Sequence, residues 1–221
     1  MIERLHDRKQ AGQLLAEKLG AYSGRSDVVV LGLARGGTEV AYELARILKA
    51  PMDVFLVRKL GVPGYEELAL GAISMGNAQI IDPDVVEEFG LSQREIDDVV
   101  NTERRELERR ERAYRDHRPR LDLTGRTVIL VDDGIATGST MRAAIAAVRK
   151  SGPARIVVAV GVAPLSTYLI LGSEADEVVC LLAPRNFLAV AQFYDDFPQL
   201  TDEDVRSLLA RPIEPDTHKA A

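Results

Sequence analysis

Two adjacent carboxylates, Asp132 and Asp133, end an apolar run, Val128-Ile129-Leu130-Val131. Small and hydroxylated residues follow: Ala136, Thr137, Gly138, Ser139 and Thr140. The apolar run suits a buried strand, and Thr140 to Lys150 has helical spacing. A strand, an acid pair and a Gly/Ser/Thr turn opening a helix form a place to hold a phosphorylated sugar. The helix start offers unpaired backbone N–H groups and the positive end of its dipole, which both suit a phosphate. Thr137, Ser139 and Thr140 add hydroxyl donors. The carboxylates would repel phosphate, but they accept hydrogen bonds from vicinal sugar hydroxyls or sit near a magnesium ion. An ordinary βα turn capped by Asp133 and Thr137 fits less well, since such turns rarely carry two acids before Thr-Gly-Ser-Thr.

A second glycine turn, Gly32-Leu33-Ala34-Arg35-Gly36-Gly37, lies earlier in the chain. Gly36 and Gly37 let the backbone approach an anion, the helix starting near Thr38 points its N-terminus there, and Arg35 adds a fork of donors. A plain tight βα turn explains these residues nearly as well. Arg58 and Lys59 put two cations at a strand end, although a solvated pair is the commoner fate of such residues. Gly61, Pro63 and Gly64 mark Leu60 to Glu67 as a mobile loop; the alternative is a static loop pinned by Pro63 and Tyr65.

The elements that would position these groups alternate along the chain. Strands are expected at Asp27–Leu33, Met52–Val57, Leu68–Ser74, Arg126–Val131, Arg155–Val160 and Glu177–Leu182. Helices are expected at Thr38–Lys49, Thr140–Lys150 and Pro164–Leu171. Near-continuous apolar strands separated by helices indicate an α/β fold with a parallel sheet covered on both faces. Ligands of such sheets bind beyond the carboxyl ends of the strands, where the acid pair falls. Ser92 to Arg118 reads as one long Glu/Arg-rich helix opened by a Ser92/Glu95 capping box, with a thin apolar stripe of Ile96, Val99, Val100, Leu107 and Tyr114. It is either a solvated helix against the sheet edge, a hood over the site or a homodimer contact. Phe187, Phe193, Tyr194 and Phe197 form a late aromatic cluster, and Thr201 with Asp204 opens a last helix.

The acid pair and its loop resemble the 5-phosphoribosyl-1-pyrophosphate (PRPP) motif of type I phosphoribosyltransferases, in spacing, residue types and strand–loop–helix context. The chain is similar to stand-alone members of that family, with Arg-Gly-Gly early, Arg-Lys-Leu-Gly before Glu-Leu-Ala-Leu-Gly, and Phe-Tyr-Asp-Asp-Phe late. The resemblance implies the type I phosphoribosyltransferase fold as one domain over 1–221, with a helical insertion at about 83–120 and a C-terminal segment at 184–211 as a hood. It implies that residues 136–140 hold the 5-phosphate and that Arg35, Gly36, Gly37, Arg58 and Lys59 hold pyrophosphate. The pyrophosphate loop of that family often carries a non-proline cis peptide, for which Ala34–Arg35 and Arg35–Gly36 are the candidates here. Asp132 and Asp133 would hold the ribose and touch Mg2+ indirectly, through PRPP or water. Leu60 to Glu67 would be the lid that excludes water, and the acceptor, a nitrogen base, would lie under the insertion or the aromatics. The 6-oxopurine enzymes carry an Asp where this chain has Ala136, which argues against hypoxanthine or guanine as acceptor; Glu66 or Glu67 would then give acid–base help. The same pieces also suit a non-catalytic PRPP-sensing regulator.

Composition bounds these readings. With 221 residues, 46% of them apolar and 28% charged, the chain can bury a sizeable core. A net charge of -6 argues against a nucleic-acid partner. No apolar run is long enough for a membrane span and the N-terminus has no signal core, so a cytoplasmic protein is expected. The lone cysteine, Cys180, reads as a buried structural thiol. Neutralising both acids would remove two like charges, which should leave stability intact.

Overall fold

Strands that are apolar on both faces have to be covered on both faces, and the chain does this with two different layers. The computed structural model describes residues 3–75, 79–115 and 120–213. The strands of the central sheet are β1 (Val28–Leu33), β2 (Met52–Phe55), β6 (Thr127–Gly134), β7 (Arg155–Val162) and β8 (Glu177–Leu182). They are parallel and lie in the order β2-β1-β6-β7-β8. Helices α1 (Arg8–Lys18) and α2 (Gly36–Leu48) cover one face. On that side Ala11, Leu15, Val40 and Leu44 pack against Val28, Val30, Ile129, Val131 and Val157. The alternate residues Val29, Leu31, Val128, Leu130 and Val158 point into the other layer. There they meet α5 (Ser139–Arg149), the long helix α4 (Gln93–Arg115) and α7 (Asp202–Ala210). Each fully buried Val or Leu on these strands contributes about 1.5–3 kcal/mol.

The second layer also contains a small antiparallel sheet, β3 (Val57–Val62), β4 (Tyr65–Ser74) and β5 (Gln79–Ile81), in the order β3-β4-β5. The structure thus has strands where a loop was expected at Leu60–Glu67. The segment is a hairpin with Pro63 and Gly64 at its tip, Gly64 having a φ of 79°. Leu60 and Val62 are buried, an alternation of apolar residues concealed by Gly61 and by the register shift beside it. The second expected strand, Met52–Val57, is likewise two strands, β2 and β3, that belong to different sheets.

Helix α4 keeps the expected stripe: Ile96, Val100, Leu107 and Tyr114 are buried, and Ser92 and Glu95 form the capping exchange. One side of the helix packs on β3, an edge strand of the small sheet, and on α7, while its Glu/Arg side stays solvated. Glu106 pairs with Arg110 as the spacing requires, whereas Glu111 pairs with Arg120. The expected end of α4 at Arg118 lies outside the described residues. The capping box of Thr201 and Asp204 opens α7. The remaining helices are α3 (Pro83–Glu88) and α6 (Leu165–Glu174). Cys180 lies half-buried in β8, and burial pushes its thiol pKa up to about 11, which fits an unreactive thiol. No helix among the described residues is long and apolar enough to cross a membrane.

Candidate active site

The strand register brings the two glycine turns together. Gly32 of β1 lies beside Val131 of β6, so Ala34–Gly37 and Asp132–Asp133 emerge as neighbours at the carboxyl end of the sheet. The peptide between Ala34 and Arg35 is cis, at one of the two positions that the resemblance singled out. A Cβ on Gly36 would overlap Asp133 Oδ2, and one on Gly37 would lie 2.5 Å from the Val131 carbonyl oxygen. Both glycines are therefore required for α2 to start against the acid pair.

The two acids leave β6 on opposite faces, as adjacent strand residues must. Asp132 continues the Val128/Leu130 side and stays partly open to solvent. Its Oδ1 accepts the backbone N–H of Asp133 at 2.9 Å. Removal from bulk water, then the neighbouring Asp133 charge, push its pKa well above the ordinary carboxylate value. Asp133 continues the Ile129/Val131 side, towards α1 and α2, and is buried. Its Oδ2 accepts a hydrogen bond from Arg8 Nε at 2.7 Å, while Tyr194 Oη donates to its backbone carbonyl at 2.6 Å. Asp133 is thus paired inside the protein, which differs from the expected pair of carboxylates turned together towards a sugar.

The loop after β6 leads directly into α5. Gly138 precedes α5 with a φ of 84° and has no side chain to cap the helix, while Thr137 Oγ1 accepts from the Ser139 N–H at 3.4 Å. The Ala136 carbonyl accepts from Thr167 Oγ1 at 3.0 Å, which ties the loop to α6. Ala136, Thr137 and Thr140 are exposed, Ser139 partly so, and the Thr137 and Ser139 hydroxyls lie 3.2 Å apart. Two neighbouring hydroxyls and an exposed Thr140 thus lie at the positive end of a helix.

The expected cations separate. Arg35 sits at the start of α2 and reaches to 4.0 Å from Asp202 on α7. Asp202 also accepts from Tyr114 Oη of α4 at 2.6 Å, and burial followed by that bond pushes the phenol up to about 12. Arg58 donates to Glu103 of α4 at 2.5 Å. Lys59, the next residue of β3, projects from the opposite face of the hairpin, so one ligand cannot take both side chains in this arrangement. Glu66 lines a cleft of about 450 Å³ between the hairpin tip and α4, together with Glu95, Asp98 and Glu103. That cleft does not include the acid pair. The Glu67 side chain lies outside the described residues.

The sequence reading missed Arg8, Tyr194 and Thr167 as parts of this region. One signal was available for Arg8. It occupies the first turn of α1, where a cation opposes the helix dipole unless a carboxylate elsewhere holds it.

The family described as phosphoribosyl transferase domain matches residues 1–198. The chain belongs to that family. Two curated proteins of Mycobacterium tuberculosis, from strains CDC 1551 and H37Rv, are each 45% identical to it over 205 residues. Both bear the name "Putative phosphoribosyl transferase", and the match covers 93% of this chain and 46% of theirs. The chain thus spans about half the length of these relatives. The crystal structure of TT1426 from Thermus thermophilus is 45% identical, with a TM-score of 0.85 over 93% of this chain and 97% of that one. The parallel five-stranded sheet flanked by helices is the α/β arrangement that the resemblance implied.

Proposed function

We propose that this phosphoribosyltransferase binds PRPP and lets a nitrogen base displace pyrophosphate from C1 of the ribose. The observation that carries the reading is the exposed loop at the start of α5, with Thr137, Ser139 and Thr140 following the strand end that carries Asp132. In this reading residues 136–140 hold the 5-phosphate, and Asp132 accepts from the ribose hydroxyls. Arg35, the Gly36–Gly37 turn and Lys59 take the pyrophosphate. The base nitrogen forms its bond to C1 as the C1–O bond breaks, and pyrophosphate leaves with the electron pair. Charge builds up on an oxocarbenium-like ribose, so electrostatics and orientation supply the rate.

Among the described residues no cluster of three or more His, Cys, Asp or Glu could cage a metal. A partly open Asp132 carboxylate suits instead a magnesium ion that arrives on the pyrophosphate and keeps several waters. When bound, that ion would neutralise charge on the leaving group. Titration calorimetry with PRPP and magnesium tests the binding. Pyrophosphate release, measured with pools of bases, tests the transfer. Binding without release for any base would favour the PRPP-sensing regulator, and no binding would overturn the reading.

A further inference from the structure

We propose that Asp202 of α7 is a positioning residue of the pyrophosphate site, which holds the Arg35 guanidinium as an internal counter-anion and yields it to the incoming ligand. The inference rests on the PRPP reading above and adds a residue from the last helix. Asp202 is one of three acids in the first turn of α7. Asp204 is taken up by the capping box with Thr201, and Glu203 pairs with Arg206 inside the helix. Asp202 is turned instead onto two other helices. Its Oδ1 accepts from Tyr114 Oη of α4 at 2.6 Å, its Oδ2 lies 3.7 Å from Arg109 Nη2, and its Oδ1 lies 4.0 Å from Arg35 Nη1.

The carboxylate has a fixed place. Tyr114, which holds it, is 2% exposed. Helix α7 is anchored by Val205, which is buried in the same core as Leu107 and Tyr114 of α4. Just after α7, the Arg211 guanidinium lies 5.9 Å from the centre of the Tyr42 ring of α2. The Arg35 contact is different in kind. At 4.0 Å it is an ion pair without a hydrogen bond, and its two side chains are 37% and 39% exposed. The Arg35 side chain makes no hydrogen bond among the described residues. Charge alone keeps the guanidinium near Asp202, and its N–H groups stay available to a ligand at the Gly36–Gly37 turn.

Pyrophosphate presents several anionic oxygens and forms short, forked hydrogen bonds to a guanidinium, which the Asp202 contact does not. It therefore draws Arg35 from Asp202, but against a carboxylate that stays in place on Tyr114. That fixed charge lowers the affinity of the turn for pyrophosphate, both as part of PRPP and as released product. A transferase has to let pyrophosphate go, so an opposing charge beside Arg35 favours turnover. Asn in place of Asp202 keeps an acceptor for the Tyr114 hydroxyl and removes only the charge.

The test is a double-mutant cycle on the full chain, with magnesium pyrophosphate titrated into wild type, Asp202→Asn, Asp202→Glu, Arg35→Gln and Asp202→Asn/Arg35→Gln. All are measured at a temperature at which circular dichroism shows every variant folded. Asp202→Asn should bind pyrophosphate about three- to fivefold more tightly at low salt, with the gain shrinking as salt rises. Asp202→Glu keeps the charge and should bind no tighter than wild type. In the Arg35→Gln background most of the gain should disappear, because Asp202 acts through Arg35. An Asp202→Asn protein with lowered Tm and unchanged or weaker pyrophosphate binding would make the contact merely structural and overturn the inference. So would an equal gain in Asp202→Glu, which would trace to packing, or a gain undiminished in Arg35→Gln, since Asp202 would then act on the ligand independently. If wild type binds neither pyrophosphate nor PRPP, the proposed function falls and takes this inference with it; any other failure leaves that function standing.

Discussion

Helices α2 and α5 begin in similar ways and do different work. Each follows the carboxyl end of a central strand, each has glycine at its start, and in neither does the side chain of the residue just before the helix cap it. At α2 the glycines are dictated by packing, because a Cβ on Gly36 would overlap the Asp133 carboxylate. The positive end of α2 therefore already faces fixed negative charge. At α5 the glycine is dictated by backbone conformation, with Gly138 at a φ of 84° and exposed hydroxyl residues on either side of it. One helix start is sealed on its Asp133 side, which leaves Arg35 and the outer side of the turn for pyrophosphate, and the other is open for the 5-phosphate. The same composition, glycine before a helix, is thus compatible with either use, and the difference lies in what stands opposite.

The largest effect is expected where the sealed end is forced open. Gly36→Ala should lower unfolding stability by about 3–5 kcal/mol, since overpacking is added to loss of the buried Arg8–Asp133 pair. Urea denaturation with an unchanged midpoint would show that α2 has room to shift, and the contrast with α5 would weaken.

The acid pair should divide in the same way. Asp133→Asn leaves Arg8 without its counter-charge and should cost about 2–3 kcal/mol. This revises the expectation that neutralising both acids leaves stability intact. Asp132→Asn should act in the opposite direction. The Asp132 pKa is raised above its unfolded value of 3.8 by burial and by Asp133. Its contribution is therefore fully present at low pH and is lost as pH rises through the raised value. Towards neutral pH the fold increasingly disfavours the charged form of Asp132, and the Asn variant should have a Tm equal to or above that of wild type. Melting curves from acid to neutral pH check the sign: the gap should grow in favour of Asp132→Asn as pH rises, and a gap in favour of wild type would contradict the burial argument.

At the open end, Gly138→Ala should cost about 1–2 kcal/mol, because a left-handed conformation is imposed on a residue with a Cβ. That Cβ would also lie 2.9 Å from the Thr167 methyl. Differential scanning calorimetry measures the loss, and a value near that for Gly36→Ala would mean that this turn is packed as tightly as the other.

Much of this was legible in the sequence, for reasons that vary by region. The strands β1, β6, β7 and β8 are nearly continuous runs of Val, Ile and Leu, so periodicity and length located them. The loop at 136–140 was legible because local chemistry dictates it: glycine for the turn and hydroxyls for an anion. The hairpin was not, since Gly61, Pro63 and Gly64 mask the inward Leu60 and Val62, and the register shifts there break the two-residue period. The opposite orientations of Asp132 and Asp133 follow from strand alternation alone and could have been read. Arg8 could not be assigned to Asp133, because the two are 125 residues apart and meet only through the packing of α1 on the sheet. The Arg58–Glu103 pair was hidden for a related reason, as Glu103 lies on a helix whose docking no local pattern specifies.

The smallest effect on stability should come with a complete loss of ligand response. Thr137→Val, Ser139→Ala and Thr140→Val alter exposed or partly exposed hydroxyls, so the triple variant should stay within about 0.5 kcal/mol of wild type for each site changed. The Thr137–Ser139 hydroxyl contact, at 3.2 Å between partly hydrated groups, offers little to lose. An anion bound only to the folded protein raises Tm in proportion to the logarithm of its concentration once sites are filled. Wild type should therefore show a phosphate-dependent rise in Tm, and the triple variant should show a much flatter one. Gly138→Ala should flatten it too, while starting from a lower Tm, because it moves the backbone donors instead of removing the hydroxyls. Arg35→Gln serves as the counterpart at the sealed end. If phosphate protects that variant as well as it protects wild type, the open helix start is where the anion binds. If Arg35→Gln loses the response and the triple variant keeps it, the roles of the two helix ends are exchanged, and the 5-phosphate assignment goes with them.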